Sequence, residues 1–303
     1  MPKTAQDFRE FQITDGIVFE DTPGGLVRVN IQTPLAQAQV YLQGAHVTQW
    51  QPAGEEPVLF LSRESHFSPG KPIRGGVPIC FPWFGPRAER PDSPMHGFAR
   101  TMEWELESLR RDSDGVVALY LTLASNAATR ALWPHDFLIR HRLAIGAALM
   151  MTLEVHNTGE EPFTCEEALH TYLAVGDVRE ISVTGLEGAS YLDKTDGFQT
   201  RTLGGERLRF AGETDRVFPN HRRPCAIADP VARRGITIDK TASDTTVVWN
   251  PWIEKAAAMA DFGDDEWTQM LCIETANVGA HAITLGPGGQ HWMQAVVKTT
   301  DLE

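Results

Sequence analysis

Short stretches in which apolar and polar residues alternate recur along most of this 303-residue chain. The segments 26–31 and 101–107 alternate with a period of two, which is the period of a β-strand with one buried face. Turn residues such as Asn157-Thr158-Gly159 and Gly286-Pro287-Gly288-Gly289 separate the stretches. The further stretches are 116–123, 137–145, 149–155, 181–184, 235–239, 245–249, 270–274 and 292–297.

Helical patterns are scarce in the same sequence. Residues 251–259 are long enough for two helical turns, and Gly146 predicts a hairpin turn between the stretches 137–145 and 149–155. Many short strands with few helices are typical of an all-β sandwich or barrel. Because no internal repeat or low-complexity linker interrupts the chain, we expect a single domain covering residues 1–303.

Residues 62–100 do not fit a strand, because seven prolines and five glycines fall within them. The same segment is rich in aromatic and aliphatic residues, which argues against disorder. It therefore predicts a long ordered loop, and long ordered loops are usually functional. Since the loop also carries Arg74, Arg87, His96 and Arg100, it is a candidate wall for a sugar-binding site.

Composition and charge exclude several classes of function. The net charge of −13 argues against a nucleic-acid partner, and a phosphorylated ligand would need locally placed cations. No stretch of about 18 apolar residues and no export signal occur, so we expect no membrane partner and a cytoplasmic location.

The cysteines and histidines lack the spacings of metal or redox sites. The four cysteines are far apart, form no CxxC pair and are expected to be reduced core residues. No histidine pattern has metal-ligand spacing, so we expect no metal and no other cofactor.

Two arginines of the 62–100 loop are candidate ligands for a charged group. Arg74 precedes Gly75 and Gly76, which permit close approach of a ligand to the backbone, and Arg100 closes the segment 96–100. Either arginine has an alternative interpretation, in which it braces the loop by donating to carbonyl oxygens.

Three further residues are candidates for acid–base chemistry or sugar binding. Alternation along 166–172 places His170 and Tyr172 on one face, as on the floor of a polar cleft, although a surface strand explains it too. Glu274 ends an apolar stretch and is either at the surface or held in a pocket with a partner. Asp215 is next to Arg216, and such pairs are often only solvated.

Two motifs together resemble a known family. Residues 73–85 read IRGGVPICFPWFG and residues 96–100 read HGFAR, and both are similar to the glucose-6-phosphate 1-epimerases of the aldose 1-epimerase (galactose mutarotase-like) superfamily. The resemblance extends over about residues 15–298. It implies a large antiparallel β-sandwich with few short helices and a sugar cleft on one sheet.

The resemblance also implies an activity and roles for particular residues. The implied enzyme is an isomerase that interconverts the α and β anomers of glucose 6-phosphate and related hexose 6-phosphates without a cofactor. Separately, we expect the protein to be a monomer. Met95 stands where relatives often carry a polar residue. The implied roles are His170 as general acid, Glu274 as general base, His96 and Asp215 at the sugar, and Arg74 and Arg100 at the phosphate.

The chemistry of anomer exchange leads to a specific expectation. At their reference pKa values, about 4.3 for Glu274 and about 6.5 for His170, the carboxylate would be ionised and the imidazole could hold a proton. We expect the two groups to face each other across the pyranose ring. The alternatives are a mutarotase of free aldoses and a non-catalytic carbohydrate-binding protein; a glycosidase would need a second carboxylate about 5 to 10 Å away.

Overall fold

The computed structural model describes residues 3–13, 15–87 and 89–302, and over these residues antiparallel strands dominate. Strands are numbered in chain order. One sheet contains, in spatial order, β1 (Ile17–Asp21), β2 (Val27–Gln32), β3 (Ala36–Tyr41) and β4 (His46–Pro52).

A sheet of eight strands carries most of the candidate residues, and we call it the site sheet. Its strands are β5 (Ile79–Cys80), β11 (Glu167–Leu169), β12 (Tyr172–Ala174), β14 (Ser190–Asp193), β15 (Gln199–Thr202), β16 (Thr214–Pro219), β19 (Thr245–Asn250) and β20 (Met270–Asn277). Their order is β15-β14-β16-β19-β20-β11-β5, and β12 also pairs with β20.

A second sheet of eight strands, the back sheet, is also antiparallel. Its strands are β6 (Glu105–Arg111), β7 (Val117–Ala124), β8 (Phe137–Ile145), β9 (Leu149–Asn157), β13 (Ser182–Thr184), β17 (Cys225–Asp229), β18 (Arg234–Thr241) and β22 (Gln290–Thr300). The order is β13-β17-β18-β22-β9-β8-β7-β6, and β10 (Phe163–Cys165) pairs separately with β21 (Ile283–Leu285).

The helices are short. Helices α1 (Ala127–Leu132) and α2 (Trp252–Ala257) have six residues each, and Asn126 caps α1 by accepting hydrogen bonds from two backbone amides. In the part of the chain that the structure describes, no helix has the length and apolarity needed to cross a membrane. The 3-10 helices are Ala5–Phe11, Ala99–Thr101, Lys194–Asp196, Glu266–Gln269 and Gly279–His281.

The alternating strands close one apolar core between the sheets. Ile139 and Leu153 of the back sheet and Val248 and Ile273 of the site sheet are all fully buried and belong to the same cluster. Every second residue of β8 is buried, as expected for a strand with one core face. The predicted all-β sandwich is therefore confirmed.

The two central strands of the site sheet differ from this pattern. Every residue of β19 and β20 is buried, because one face packs on the core and the other is covered by loops. Polar residues on the covered face are therefore removed from water, which is costly unless they are paired or serve a ligand.

The structure corrects one predicted strand and refines one loop. The stretch 101–107 becomes β6 only from Glu105, because Trp104 is buried and donates from Nε1 to the Ala99 carbonyl, which holds a 3-10 turn at residues 99–101. The segment 62–100 is largely irregular as predicted, apart from that turn and from β5, which pairs with β11.

Candidate active site

His170 and Glu274 meet on the covered face of the site sheet. His170 follows β11, where pairing with β20 is interrupted before β12 begins, and Glu274 lies within β20. The imidazole Nε2 is 3.4 Å from the carboxyl Oε1, and the two residues are 6% and 1% exposed. The surface-strand interpretation of His170 is therefore wrong.

The short distance also corrects the expected arrangement around a sugar ring. A pyranose does not fit between two atoms 3.4 Å apart, so His170 and Glu274 do not face each other across the ring. Both groups would instead contact a ligand from the same edge. This arrangement suits two oxygen atoms bonded to the same carbon.

Aromatic residues fix the position of the His170 ring. It stacks on Tyr172 with centroids 4.8 Å apart, and Trp249 and His96 meet it edge-on at 6.0 and 5.6 Å. Among the described residues, nothing bonds to His170 Nδ1 or to Glu274 Oε2, although both atoms are buried. Buried polar atoms without partners in a native fold call for an explanation, and a ligand is one.

Burial moves the ionisation of the pair away from the reference values. Burial lowers the pKa of His170 well below its usual value, and His96, Arg100 and Arg74 lower it further. Burial also raises the pKa of Glu274 well above its usual value, with Asp215 acting in the same direction. Both shifts favour the neutral forms, an unprotonated imidazole and a protonated carboxyl, contrary to the sequence-based expectation for the two groups.

Arg74 reaches the site from the 62–100 loop. Its Nη1 donates to the Tyr172 hydroxyl at 3.0 Å and its Nη2 to Asp261 Oδ2 at 3.1 Å. Within the described part of the chain, the guanidinium thus donates to no backbone carbonyl. Its Nε is buried and bonds to no described residue, so this N–H is available to a ligand.

Arg100 is 8% exposed and donates from Nη2 to the Met95 carbonyl oxygen at 2.7 Å. With this hydrogen bond Arg100 braces the loop by donating to a carbonyl oxygen, as the alternative interpretation expects. Burial lowers the pKa of His96, and the charge of Arg100 lowers it further. The pKa of His170 is lowered by burial, then by His96 and then by Arg100, so the charge of Arg100 acts inside the site. At position 95 the backbone carbonyl makes this contact, and the side chain of Met95 is half exposed.

His96 sits beside the catalytic candidates in a constrained backbone. Its φ of +63° is left-handed, which is uncommon for a residue other than glycine and often occurs at functional sites. Its ring packs edge-on against Phe84 at 4.7 Å, and Nδ1 accepts from the Gly85 amide at 3.3 Å.

Asp215 lies in β16 and shares the covered face with Glu274. Directly opposite residues of neighbouring strands share a face, and so do residues two apart on one strand. Asp215 is opposite Trp249, Trp249 is opposite Cys272, and Cys272 is two residues from Glu274. Asp215 is 7% exposed and forms an ion pair with Lys194 at 3.1 Å. The interpretation as a solvated Asp–Arg pair is wrong, since Arg216 points away and covers the Tyr191 ring.

Small apolar residues form the floor below these side chains. Cys80, Ala168 and Ala276 are opposite one another in β5, β11 and β20 and are fully buried. All four cysteines are free and buried, as predicted. No group of three or more candidate metal ligands occurs within residues 3–13, 15–87 and 89–302.

The structure thus brings six predicted residues together and adds others. Lys194 and Asp261 have no local sequence signal, because each is identified only by a partner distant in the chain. Charged groups on this site occur in both signs, which suits a ligand with hydroxyls and an anionic group. The six predicted residues are Arg74, His96, Arg100, His170, Asp215 and Glu274.

Comparison with known sequences is consistent with this chemistry. A family model described as aldose 1-epimerase matches residues 28–296. A protein of Escherichia coli K12 is 40% identical over 246 residues, which is 81% of each chain. A protein of Cenchrus ciliaris is 37% identical over 280 residues, covering 89% of this chain and 84% of its own length. Both are named "putative glucose-6-phosphate 1-epimerase".

A solved structure has the same fold. YeaD of Salmonella typhimurium, described as a "putative mutarotase", superposes with a TM-score of 0.89 at 33% identity. The match covers 96% of this chain and 95% of YeaD.

Proposed function

This chain belongs to the aldose 1-epimerase family, and from that membership we propose that it interconverts the α and β anomers of a hexose 6-phosphate, glucose 6-phosphate first among them. The family makes the protein an isomerase with a galactose mutarotase-like sandwich. The identity of the substrate and the roles of the individual residues are the parts that we propose.

The contact between His170 and Glu274 carries the proposal. In a cyclic sugar the C1 hydroxyl oxygen and the ring oxygen are bonded to the same carbon, so an acid and a base must act close together. The two side chains meet this requirement at 3.4 Å. Positioned proton transfer of this kind contributes about 10²–10⁴-fold to a rate.

The reaction then requires only proton transfers and the breaking and re-forming of one bond. Glu274 takes the proton from the C1 hydroxyl while His170 gives a proton to the ring oxygen, and the bond between C1 and the ring oxygen breaks to leave an open aldehyde. Rotation about C1–C2 presents the other face, and the ring closes with the two roles reversed. One proton enters the pair and one leaves it, so no external oxidant or reductant takes part.

Arg74 and Arg100 are proposed to bind the phosphate group, and Asp215 and His96 the ring hydroxyls. Arginine suits phosphate because its planar donors bind two oxygens at once. The net charge of −13 repels anions at long range, so local cations of this kind are required.

Phosphate binding also explains how the acid is charged. Besides burial and His96, the charges of Arg100 and Arg74 lower the pKa of His170. A bound dianion neutralises these two arginines, so the pKa of His170 rises when the substrate enters. The substrate thereby helps to produce the imidazolium that protonates the ring oxygen.

The test is exchange between anomers of glucose 6-phosphate, followed by NMR. We expect His170→Asn and Glu274→Gln each to lower the exchange rate by about 10²–10⁴-fold, with an unchanged circular dichroism spectrum. His156 and Glu154 form a matched control, because they are a histidine–glutamate pair at 3.6 Å in β9 of the back sheet. Near-wild-type exchange in either site variant would show the proposal to be wrong.

The ion pair between Arg74 and Asp261 favours a second candidate, a mutarotase of unphosphorylated aldoses. Asp261 forms an ion pair with Arg74 and so weakens the attraction of Arg74 for a phosphate. Measuring kcat/KM for glucose and for glucose 6-phosphate with the same enzyme decides between the two, since the first proposal requires the phosphorylated sugar to be the better substrate.

A further inference from the structure

Lys194 lies at the same site, and the reaction described above does not use it. Its Nζ is 3.1 Å from Asp215 Oδ2 and 5.5 Å from the centroid of the Phe84 ring, and its side chain is 24% exposed. The backbone there is anchored, because Asp193 accepts a hydrogen bond from the Thr195 amide at the start of a 3-10 turn. Lys194 is therefore held where its charge faces the covered side of the site sheet.

Glu274 requires positive charge nearby if it is to act as a base. It is 1% exposed, and a carboxylate without water favours its protonated form. Burial and then Asp215 raise its pKa, while Lys194 and Arg100 lower it. The titratable groups around Glu274 are His170, Tyr172, Asp215, Lys194, Arg100 and the thiols of Cys80 and Cys272.

These two cations differ in what happens to them when substrate binds. The proposed function assigns Arg100 to the phosphate, whose negative charges then offset the guanidinium. Lys194 is already held by Asp215, on the far side of Trp249 from Glu274. The partner of Lys194 is thus the same with and without a bound phosphate, so its effect on Glu274 does not change when the phosphate occupies the arginines.

We propose that Lys194 is a positioning residue for anomer exchange: its ammonium group holds Asp215 and keeps Glu274 ionised while the phosphate occupies the arginines. This inference rests on the function proposed above. It predicts an effect on the pH dependence of kcat, which reports ionisation in the enzyme–substrate complex.

The experiment is the pH profile of kcat for glucose 6-phosphate, measured by NMR exchange. In Lys194→Met we expect the acid limb to move to higher pH, because loss of a cation on the same side of the site sheet disfavours the ionised form of Glu274. On the alkaline side kcat should recover to within about threefold of wild type. Lys194→Arg should return the limb to its wild-type position.

Two further variants sharpen the test. Lys3→Met is the matched control, because Lys3 also pairs with a carboxylate, Glu105, and also lies over an aromatic ring, at 5.8 Å from Phe8. We expect no shift there. In the double variant Lys194→Met with Asp215→Asn both opposing charges are lost, so the acid limb should return towards wild type. KM should exceed the wild-type value there, because Asp215 is proposed to bind the ring hydroxyls.

Several outcomes would overturn the inference. They are an unshifted limb in Lys194→Met with only KM raised, an equal loss at every pH that Lys194→Arg does not rescue, and the same shift in Lys3→Met. Lys194→Gln is measured in parallel, so that a misfolded methionine variant still leaves a test of the charge. Absence of exchange in the wild-type enzyme would instead refute the proposed function itself, and the two failures are thus distinct.

Discussion

Arg74 is the residue whose contacts bear most directly on the choice of substrate. It has a phenol and a carboxylate as partners and one buried donor without a described partner. A guanidinium that contacts the phosphate would contribute only to phosphorylated ligands. Its neighbour Tyr172 supports the imidazole, so the same ring joins the anion end of the site to the acid.

We predict that Arg74→Ala raises KM for glucose 6-phosphate by about ten- to a hundredfold, the loss expected for hydrogen bonds to a charged group. KM for glucose should change little, because glucose has no phosphate to bind. Steady-state kinetics with both sugars provides the measurement. Arg222→Ala is a suitable control, since Arg222 also pairs with an aspartate, Asp244, but lies at the surface. An equal effect on both sugars would show that Arg74 does not bind phosphate.

The sequence identifies six residues that lie around one site, and it misses the partners that tune them. His170 and Tyr172 are predicted on one face by strand alternation, and their rings do stack. Lys194 and Asp261 are identified only in three dimensions, because each meets its partner through the fold. The roles assigned to the six residues stay predictions.

At the scale of elements, the 62–100 loop is positioned by close backbone contacts. Gly97 has a φ of +74°, and a Cβ there would come within 1.9 Å of the Phe81 carbonyl oxygen. This contact fixes the chain immediately after His96. The geometry of His96 therefore depends on a residue that makes no contact through a side chain.

We predict that Gly97→Ala lowers the free energy of unfolding by clearly more than Gly54→Ala. Both positions are left-handed, which costs an alanine about 1–2 kcal/mol, but nothing lies within 4 Å of a Cβ at Gly54. The difference between the variants thus measures the clash at Gly97. Urea unfolding gives the stabilities, and anomer exchange should fall only in Gly97→Ala. Equal stability losses would contradict this account of the loop.

Strands with strong alternation are predicted from the sequence, and short or irregular strands are not. The stretches 137–145 and 149–155 become β8 and β9 with their turn at Gly146, as predicted. Strand β5 has only two residues and exists because β11 pairs with it, which no local pattern reveals. Strand β6 begins later than predicted, because burial of Trp104 outweighs the local alternation of apolar and polar residues.

At the scale of the whole molecule, buried neutral histidines tie stability to pH. Burial lowers the pKa of His46 and of His141 to about 4, from an ordinary value near 6.5. Between these values the unfolded chain binds protons that the folded chain does not. Stability is therefore complete above about pH 6.5 and is lost as the pH falls towards 4.

We predict a loss of about 1.4 kcal/mol per pH unit for each of these histidines across that interval. Urea unfolding at several pH values measures the slope. His141→Gln should make the slope shallower, whereas His66→Gln, at an exposed position, should leave it unchanged. A slope that is the same in wild type and His141→Gln would contradict the assignment.

The single domain, the monomeric state and the cytoplasmic location expected from the sequence stay predictions.

The pairing of opposite charges within the site has a consequence for ionic competitors. Arg74 is bound by Asp261, Lys194 by Asp215, and Arg100 by the Met95 carbonyl. A bare inorganic dianion would have to compete with such partners and would bring no hydroxyls for His170, Glu274 or Asp215. A phosphorylated sugar brings both its charge and its hydroxyls. We therefore predict that these internal partners disfavour the binding of inorganic anions relative to that of a phosphorylated sugar.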